Sequence, residues 1–435
     1  PQFNECFDQA SWQQAIDKSN ASKGPLSLYV HIPFCNTVCY YCGCNKIITA
    51  NRKKAEPYLI ALLKEIAMQA GFVDPKRPLL QLHFGGGTPT YLSDAQLQAI
   101  TQSIKKHFAW QNDEHAEYSI EIHPQTINTK RIGFLRHLGF NRLSLGVQDF
   151  NPKVQKAVNR FNSYEEVNAL IKVARVHRYK SISMDLIYGL PYQSCSSFRH
   201  TLDQVIALRP DRLSLFNYAH MPELFKIQKK IDAKALPEPQ EKLKILHNSI
   251  IQLTQAGYLY IGMDHFALPD DELAENQNEG KLHRNFQGYS THGDCDLLAF
   301  GVSAINAIGS TYAQNHKAIG PYIAAINNNR LPISRGIALT QDDALRRAII
   351  NQLICHFSLI YAVFEKEFGI NFSDYFHQEL NAIDVFAKDA LIEKNNAGFV
   401  VKPTGRLLIR RICMIFDAYL KPSAKVSKVN YSRII

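Results

Sequence analysis

This 435-residue chain lacks the sequence signals of a membrane, secreted or nucleic-acid-binding protein. No uninterrupted apolar run reaches the roughly 18 residues that a membrane span needs. The polar segment before Gly24 has no apolar core of the kind found in signal peptides. The net charge is +10, but no run of Lys and Arg is longer than a few residues. We therefore expect a cytoplasmic protein with no membrane span and no nucleic-acid partner.

The cysteines do not form a disulfide framework, which needs many cysteines in a short secreted chain. The chain has nine cysteines, and four of them lie between Cys35 and Cys44. The other five are scattered, and we interpret them as apolar residues rather than ligands. An odd number with one tight group fits a reducing compartment and indicates a metal site.

Strand-like runs alternate with helical patterns over the first half of the chain. One helical pattern places Leu59, Leu62, Leu63 and Ile66 at i, i+3, i+4 and i+7. Repeated strand–helix units predict a parallel sheet with right-handed crossovers. Six such units predict an α/β fold with a partial TIM-type (β/α)6 barrel. The six predicted strands span residues 26–32, 79–84, 118–122, 142–147, 182–187 and 212–216.

The chain changes character after about Arg330. The pattern predicts helices at 341–357, 373–387 and 406–420 and a hairpin at 391–401. We expect three parts: an N-terminal segment at 1–25, the barrel domain at 26–290 and a smaller, mainly helical C-terminal domain at 291–435. The C-terminal elements could form a winged-helix-like unit, but they have no clear basic recognition face.

Polar residues and glycines recur at the ends of the predicted strands. In a barrel, the carboxyl ends of the strands form the active-site face, so this recurrence predicts one shared site. In strand order, the residues are Cys35, Gly85–Thr88, Glu121, Gln148, Asp185 and Tyr218–Ala219.

The strongest local signal is the loop that runs from His31 through Cys35, Cys39 and Cys42 to Cys44. Thiolates are soft ligands that suit iron–sulfur clusters or zinc. Structural zinc usually takes two separated pairs of ligands, whereas here three cysteines lie within eight residues. Spacing alone favours an iron–sulfur site and leaves zinc and unrelated thiols as alternatives.

A glycine run, Gly85-Gly86-Gly87, follows the second predicted strand and leads into Thr88-Pro89. Such a run lets backbone groups approach a ligand closely, although a tight strand–helix turn would explain it equally well. Together with the cysteine loop on the preceding strand, it becomes a specific signal.

The cysteine loop and the GGGTP turn resemble the radical S-adenosylmethionine (SAM) superfamily. The finer sequence resembles the family of oxygen-independent coproporphyrinogen III oxidases, over nearly the whole chain from about Leu26. The stretches that carry this resemblance are YVHIPFCNTVCYYCGCNK, QLHFGGGTPTYL, GFNRLSLGVQDFNPKVQKAVNR, DLIYGLP, RLSLFNYAH, IGMDHFALPDDELA, HRNFQGYSTHGD and GRLLIRRICMIFDAYL.

The resemblance implies a radical SAM barrel that holds one [4Fe–4S] cluster and two SAM molecules per chain. Cys35, Cys39 and Cys42 match the cluster ligands, and Cys44 matches a cysteine that is not a ligand. The implied SAM contacts can donate to or accept from the amino acid and ribose groups of SAM. They are Tyr29, Tyr41, Gly86, Gly87, Thr88, Glu121, Gln148, Arg160, Asp185, Ala219 and Ile305. Outside the motif context, Asp185 could be a strand-end cap and Arg160 a surface ion pair.

The resemblance also implies the reaction. The reduced cluster cleaves SAM to a 5′-deoxyadenosyl radical, which removes a hydrogen from a propionate side chain of coproporphyrinogen III. Loss of CO2 and one electron leaves a vinyl group, and two such steps give protoporphyrinogen IX. We expect a reductase or flavodoxin-type electron donor and a monomer. No Ser–His–Asp triad or carboxylate pair is needed for this chemistry.

The substrate carries four carboxylates, so basic side chains in the matching stretches are candidates for propionate contacts. We name Arg284, His283, His265 and His220, while noting that packing or hydrogen bonding explains each of them equally well.

Two features depart from the family pattern. The chain starts at Pro1 rather than Met, so we expect upstream residues, including the Tyr/Pro-rich segment that the family usually carries. His123 stands where an Asp often follows the ribose-binding glutamate, so the local charge differs.

Three alternatives remain. A haem chaperone of the same superfamily would carry an HNxxYW motif, which is absent, whereas the GCNK stretch at Gly43–Lys46 is present. The second is another radical SAM enzyme acting on porphyrins. The third is a winged-helix regulator with an iron–sulfur sensor, against which the barrel motifs argue.

Overall fold

The computed structural model describes residues 2–111 and 116–420, which form two compact units. The larger unit comprises Gln2–Gly257 and Asp294–Ala338, and the smaller comprises Tyr258–Gly293 and the residues from Leu339 on. This division differs from the predicted boundary at 290/291. The segment from Asp294 belongs with the barrel because it supplies strands to the barrel sheet, described below.

Seven parallel strands form the centre of the larger unit. Six of them confirm the predicted strands, and they pair in chain order from β6 to β1. The first strand is buried on both faces, as expected for a parallel sheet covered by helices. The strands are β1 (Leu26–Ile32), β2 (Pro78–Gly86), β3 (Glu117–Ile122), β4 (Arg142–Gln148), β5 (Ser181–Tyr188), β6 (Arg212–Asn217) and β7 (Asp296–Phe300).

The seventh strand was not predicted from the sequence. It pairs in parallel with β1, from Leu26 opposite Asp296 to Val30 opposite Phe300. Arg77 fixes its start, because its Nη2 lies 2.6 Å from an Asp296 carboxylate oxygen and its guanidinium is buried. An antiparallel extension follows, formed by β8 (Ile305–Ile308), β9 (Thr311–Asn315) and β10 (Ile333–Ala338).

Helices connect the parallel strands, as the strand–helix pattern predicted. Several start at a capping box, such as the one between Ser93 and Gln96. Gly139 ends another helix in the left-handed region. The helices of the larger unit are Gln9–Ser22, Glu56–Ala70, Asp94–His107, Thr129–Leu138, Pro152–Val158, Tyr164–Val176, Cys195–Leu208, Pro239–Gln255 and Ile319–Asn327.

The smaller unit is mainly helical and contains a three-stranded antiparallel sheet. The predicted hairpin is confirmed, with Ile392–Asn395 pairing with Gly398–Val401. Its third strand, Ser358–Ile360, pairs with Gly398–Val401. The helices are Glu272–Asn278, Gln341–His356, Tyr361–Phe368, Phe372–Tyr375, His377–Lys388 and Ile409–Ile415. The last five share one apolar core with the sheet, and Glu272–Asn278 packs in a separate apolar cluster.

The remaining elements are short. Leu259–Gly262 pairs with His265–Ala267, His283–Asn285 with Gly288–Ser290, Phe34–Cys35 with Ile47–Ile48, and Ala109–Trp110 with β2. The 3-10 helices are Arg52–Ala55, Pro89–Tyr91, Pro124–Thr126, Lys226–Lys230, Ala233–Ala235, Arg406–Leu408 and Ala418–Leu420. Among the described residues, none of the helices has the length and apolarity of a membrane span.

Candidate active site

Polar side chains line up across neighbouring parallel strands. The register places Tyr29 of β1 opposite His83 of β2, and His83 opposite Ser119 of β3. Residues opposite each other in a sheet point to the same face. The Tyr29 and His83 rings stack at 5.8 Å, and His83 Nδ1 lies 2.5 Å from the Ser119 hydroxyl. One face of the sheet therefore carries a connected row of polar groups.

The cysteine loop leaves the end of β1 and folds back on itself. Phe34–Cys35 pairs with Ile47–Ile48, which closes the base of the loop. Within it, the Cys42 amide donates to the Cys39 carbonyl at 3.2 Å. His31, at the end of β1, bonds through Nε2 with the Asn45 carbonyl at 3.1 Å. All three predicted ligand thiols are therefore carried on one short loop at the carboxyl edge of the sheet.

Different neighbours contact each of the three thiols. Cys35 Sγ lies 3.3 Å from the Thr88 hydroxyl, and Arg160 Nη1 donates to Cys39 Sγ at 3.7 Å. Burial raises the pKa of Cys35 to about 11. A hydrogen bond from the Cys44 thiol, helped by Lys46, lowers the pKa of Cys42 to about 6. A cation-rich setting that stabilises a thiolate suits a metal-ligating cysteine.

The glycine run packs tightly against the chain itself. Gly86 has a φ of +112°, and a Cβ there would lie 2.5 Å from the His31 ring. A Cβ on Gly87 would lie 2.8 Å from the Pro33 carbonyl carbon. The glycines are therefore required for the close approach of the β2 turn to the start of the cysteine loop.

Glu121 of β3 connects two strands of the site. Its Oε2 accepts from the Gly86 amide at 3.1 Å, and its Oε1 lies 3.1 Å from His83 Nε2. These contacts fix the orientation of the carboxylate, which stays partly exposed. A fixed carboxylate at this position can accept hydrogen bonds from ligand hydroxyl groups.

Asp185 of β5 is half-buried on the same sheet. Its Oδ2 accepts from the Ser144 hydroxyl at 2.9 Å. Burial, strengthened by the nearby Glu121 charge, raises the pKa of Asp185 to about 6. Serines of the flanking strands therefore orient this second carboxylate.

Arg160, which contacts Cys39, and two polar side chains near Arg160 keep buried atoms without a hydrogen-bond partner. They are Nε of Arg160, Oε1 of Gln148 and Nδ1 of His123. Gln148 adopts a φ of +71° at the end of β4, next to a shift in the strand register. Arg160 is only 8% exposed, and its Nη2 donates to the Gly146 carbonyl. Burial, strengthened by the positive charge of Arg160, lowers the pKa of His123 to about 3, which keeps its imidazole neutral.

Three further predicted contacts lie at this edge of the sheet, and Ile305 is among them because β8 runs antiparallel to β7, with Ala307 opposite Leu297. Gln228 Nε2 donates to the carbonyls of Tyr41 and Ala219, at 3.0 and 3.2 Å. Gln228 therefore connects the cysteine loop, through Tyr41, to the segment after β6, through Ala219. Ile305 starts β8, beyond β7, where its backbone pairs with Gln314.

The four basic candidates for propionate contacts fall into different settings. His220 Nδ1 lies 2.8 Å from the Tyr218 hydroxyl in the larger unit. In the smaller unit, the Arg284 guanidinium lies 4.8 Å from the Tyr289 ring centre, and the His265 ring meets the same tyrosine edge-on. His283 lies on the His283–Asn285 strand of that unit.

The sequence reasoning missed His83, which contacts Tyr29, Ser119 and Glu121. Its signal was the alternation within β2, where every second residue shares a face with Gly85. A polar residue on that face, in a strand leading to the glycine run, was the available indication.

Known protein families match both units. The radical SAM superfamily matches residues 29–205, and the HemN C-terminal domain matches residues 339–408. The oxygen-independent coproporphyrinogen III oxidase of Pseudomonas aeruginosa is 50% identical over 434 residues, which cover 100% of this chain and 94% of the relative. The chain belongs to this oxidase family.

Further family members agree. The Escherichia coli relative of the same name is 50% identical over 100% of this chain and 93% of its own length. The Synechocystis relative is 46% identical over 98% of this chain and 91% of its own length. A solved structure titled as the coproporphyrinogen III oxidase HemN from E. coli, a radical SAM enzyme, superposes with a TM-score of 0.94 at 50% identity. It covers 96% of this chain and 95% of that chain.

The family fold implies a [4Fe–4S] cluster and SAM as cofactors. The residues present fit them. Three thiols on one loop, with the Arg160 guanidinium beside Cys39, match a thiolate-held cluster. Nearby, Arg160 Nε and Gln148 Oε1 offer a donor and an acceptor that the protein leaves unpaired. Buried polar groups of this kind usually have a partner, and these two atoms are able to bond with a polar ligand.

Proposed function

We propose that this protein converts two propionate side chains of coproporphyrinogen III to vinyl groups and so produces protoporphyrinogen IX. The observation that carries the proposal is 50% identity to coproporphyrinogen III oxidases over the whole chain, together with the three-thiol loop. Each propionate would lose CO2, one hydrogen atom and one electron.

We infer that Cys35, Cys39 and Cys42 hold the cluster and that Cys44 does not. Three ligands leave one iron open, which an electron-transfer cluster with four protein ligands would not do. When bound, the cluster and SAM supply the radical chemistry that removes the hydrogen atom. We further infer two SAM molecules per chain, consistent with the number of polar contacts along the strand ends.

The protein's own groups orient and enclose the cofactors. Glu121, held by His83 and the Gly86 amide, is fixed to accept ribose hydroxyls. Arg160 is placed to pair with a carboxylate while its Nη1 contacts Cys39. The raised pKa of Asp185 reflects a partly dehydrated site, in which hydrogen bonds between the protein and a ligand are stronger than in water.

Other assignments rest on chemistry rather than on contacts. The tetracarboxylate substrate favours basic contacts, for which we propose Arg284, His283, His265 and His220. The reaction consumes an electron from outside, for which we propose a reductase or flavodoxin-type donor. We propose a monomer that acts in the cytoplasm.

The test is a turnover assay under argon with the cluster-loaded full chain, coproporphyrinogen III, SAM and dithionite. We expect a product in which two vinyl groups replace two propionates, detected by mass spectrometry, with release of two CO2. Cys44→Ala is the matched control for the cluster cysteines, since it changes the same loop and should keep the iron. Tight haem binding without turnover would instead indicate a haem chaperone and would overturn the proposal.

A further inference from the structure

An exposed group of lysines lies on three short elements of the larger unit. The elements are the helix Pro152–Val158 and the 3-10 helices Lys226–Lys230 and Ala233–Ala235. We call this group the lysine surface. Its members are all exposed, and they are Lys153, Lys156, Lys226, Lys229, Lys230 and Lys234.

These elements pack directly against the cysteine loop. Val154 and Val158 of the helix share an apolar cluster with Ile231, which lies between the two 3-10 helices. Tyr40 and Tyr41, which lie between Cys39 and Cys42, pack against the same cluster. The elements that carry the lysines therefore pack against the same apolar cluster as the loop with the proposed cluster ligands.

Individual contacts connect the lysine surface across its width. Lys230 Nζ lies 5.1 Å from the centre of the Tyr40 ring, and the Tyr40 amide donates to the Val158 carbonyl at 2.9 Å. At the other side, Lys153 Nζ lies 4.2 Å from the ring centre of Tyr192, whose side chain is 44% exposed. The Tyr192 amide donates to the Ala235 carbonyl at 2.8 Å.

Few negative charges offset these lysines. Residues 151–160 and 221–236 contain only two carboxylates, Glu223 and Asp232. Glu223 lies 3.9 Å from Lys229 at an exposed position, and Asp232 accepts from the Lys234 amide. These two segments therefore carry a net positive charge beside the cysteine loop, and a positive field accelerates the association of a negatively charged partner.

We propose that the lysine surface is the docking site of an acidic electron-carrier protein that reduces the cluster. This inference rests on the proposed function, which needs electrons from outside. One electron leaves the reduced cofactor of the carrier and the cluster gains it, so no bond forms or breaks. Redox complexes are small and transient, and charge complementarity governs their rate of formation. An exposed tyrosine between lysines provides the limited apolar contact that such a complex needs.

The experiment measures binding and not only turnover. Flavodoxin, a small acidic flavin protein, is titrated into the anaerobic cluster-containing protein and into the cluster-free protein at low and high salt. The docking variant reverses three charges of the lysine surface: Lys153→Glu, Lys229→Glu and Lys230→Glu.

The matched control reverses three exposed lysines near the opposite, amino-terminal edge of the parallel sheet: Lys76→Glu, Lys106→Glu and Lys172→Glu. Both variants change the net charge equally, so a difference between them reports the location of the docking site. Melting temperatures of both variants check the fold.

We expect the docking variant to raise the flavodoxin dissociation constant by about tenfold or more at low salt, and the control variant to change it by less than about twofold. The wild-type affinity should fall as salt increases. Equal weakening by both variants, or none by the docking variant, would overturn the docking proposal. Turnover driven by dithionite separates the two proposals, since the docking variant should keep it and a failed proposed function would abolish it in the wild type.

Discussion

Two buried polar clusters in the larger unit differ in how their charged group is paired. Glu65, on the helix Glu56–Ala70, is fully buried. Its carboxylate accepts from the Tyr322 hydroxyl at 2.6 Å, the Gly301 amide at 2.7 Å, Asn315 Nδ2 at 2.7 Å and Gln69 Nε2 at 3.0 Å. Both carboxylate oxygens are therefore paired within the chain.

Arg160, in contrast, keeps its Nε unpaired although it is almost as deeply buried. Gln148 and His123 beside it each keep an unpaired atom as well, and so do Gln69 and Asn315 beside Glu65, so the two clusters differ in their charged groups: the Glu65 carboxylate is fully paired and the Arg160 guanidinium is not. An unpaired buried polar atom costs about 1–3 kcal/mol, so the fold alone gives no reason for this arrangement. We infer that the Glu65 cluster serves the fold, whereas the Arg160 cluster is completed by a ligand.

The largest expected effect is the loss of iron binding on substitution of a loop cysteine, without a loss of protein stability. Replacement of Cys35, Cys39 or Cys42 by Ala should abolish iron binding and SAM cleavage. Because these thiols take part in few contacts within the protein, the melting temperature of the cluster-free protein should change little. The measurements are the iron content after anaerobic reconstitution and the yield of 5′-deoxyadenosine.

Cys44→Ala serves as the control, with iron content expected near four per chain, the number in one [4Fe–4S] cluster. Stoichiometric zinc in place of iron, with no 5′-deoxyadenosine, would contradict the cluster assignment.

The next effect concerns Glu65. In Glu65→Gln, an amide nitrogen replaces one acceptor oxygen, so donors that now bond to it lose their partner. We expect the free energy of unfolding to fall by about 1–3 kcal/mol, as measured by urea denaturation. Glu367→Gln, which changes an exposed glutamate, should stay within about 0.5 kcal/mol of the wild type.

The same residue gives a pH dependence. Burial raises the pKa of Glu65 to about 7, from 4.5 when solvated. Because the folded state holds this proton more tightly, the contribution is fully present below about pH 4.5 and is lost as the pH rises to about 7. The stability difference between wild type and Glu65→Gln should therefore shrink over this window. A difference that stays constant across this window would show that the carboxylate is ionised throughout and would contradict the raised pKa.

An effect of similar size is expected at Gly86. Its φ of +112° disfavours any side chain, and a Cβ would meet the His31 ring. We expect Gly86→Ala to destabilise the protein by about 1–3 kcal/mol. Gly320→Ala is the matched control, since nothing lies within 4 Å of its added Cβ on the helix Ile319–Asn327. That change should stabilise the protein by about 0.5–1 kcal/mol, and equal effects of the two substitutions would contradict the packing account.

Periodicity and motif spacing were sufficient to predict the six barrel strands and the C-terminal hairpin. They were not sufficient for β7, because a five-residue strand between turns carries no helix-linked repeat. Its pairing with β1 depends on long-range contacts, including the buried ion pair between Arg77 and Asp296. Tertiary pairing of this kind leaves no local sequence signal.

The candidate site likewise has features that the sequence predicted and features that only the structure revealed. The cysteine loop and glycine run could be recognised because their chemistry is local in sequence. The contacts of His83 with Tyr29 and Glu121 depend on strand register, which the sequence alone does not fix. The requirement for Gly86 came from packing against His31 and not from a ligand, which only the three-dimensional arrangement could reveal.

The comparison of the two clusters is tested most directly by measuring SAM affinity and unfolding free energy in the same pair of variants. Arg160→Met removes the cation whose Nε has no partner, and Glu65→Gln disturbs the fully paired carboxylate. We predict that Arg160→Met weakens SAM binding by about tenfold or more and changes the stability of the cluster-free protein by less than about 1 kcal/mol. Glu65→Gln should leave the SAM affinity within about twofold of the wild type and lower the unfolding free energy by about 1–3 kcal/mol. Unchanged SAM affinity in Arg160→Met, with a large loss of stability, would contradict the account.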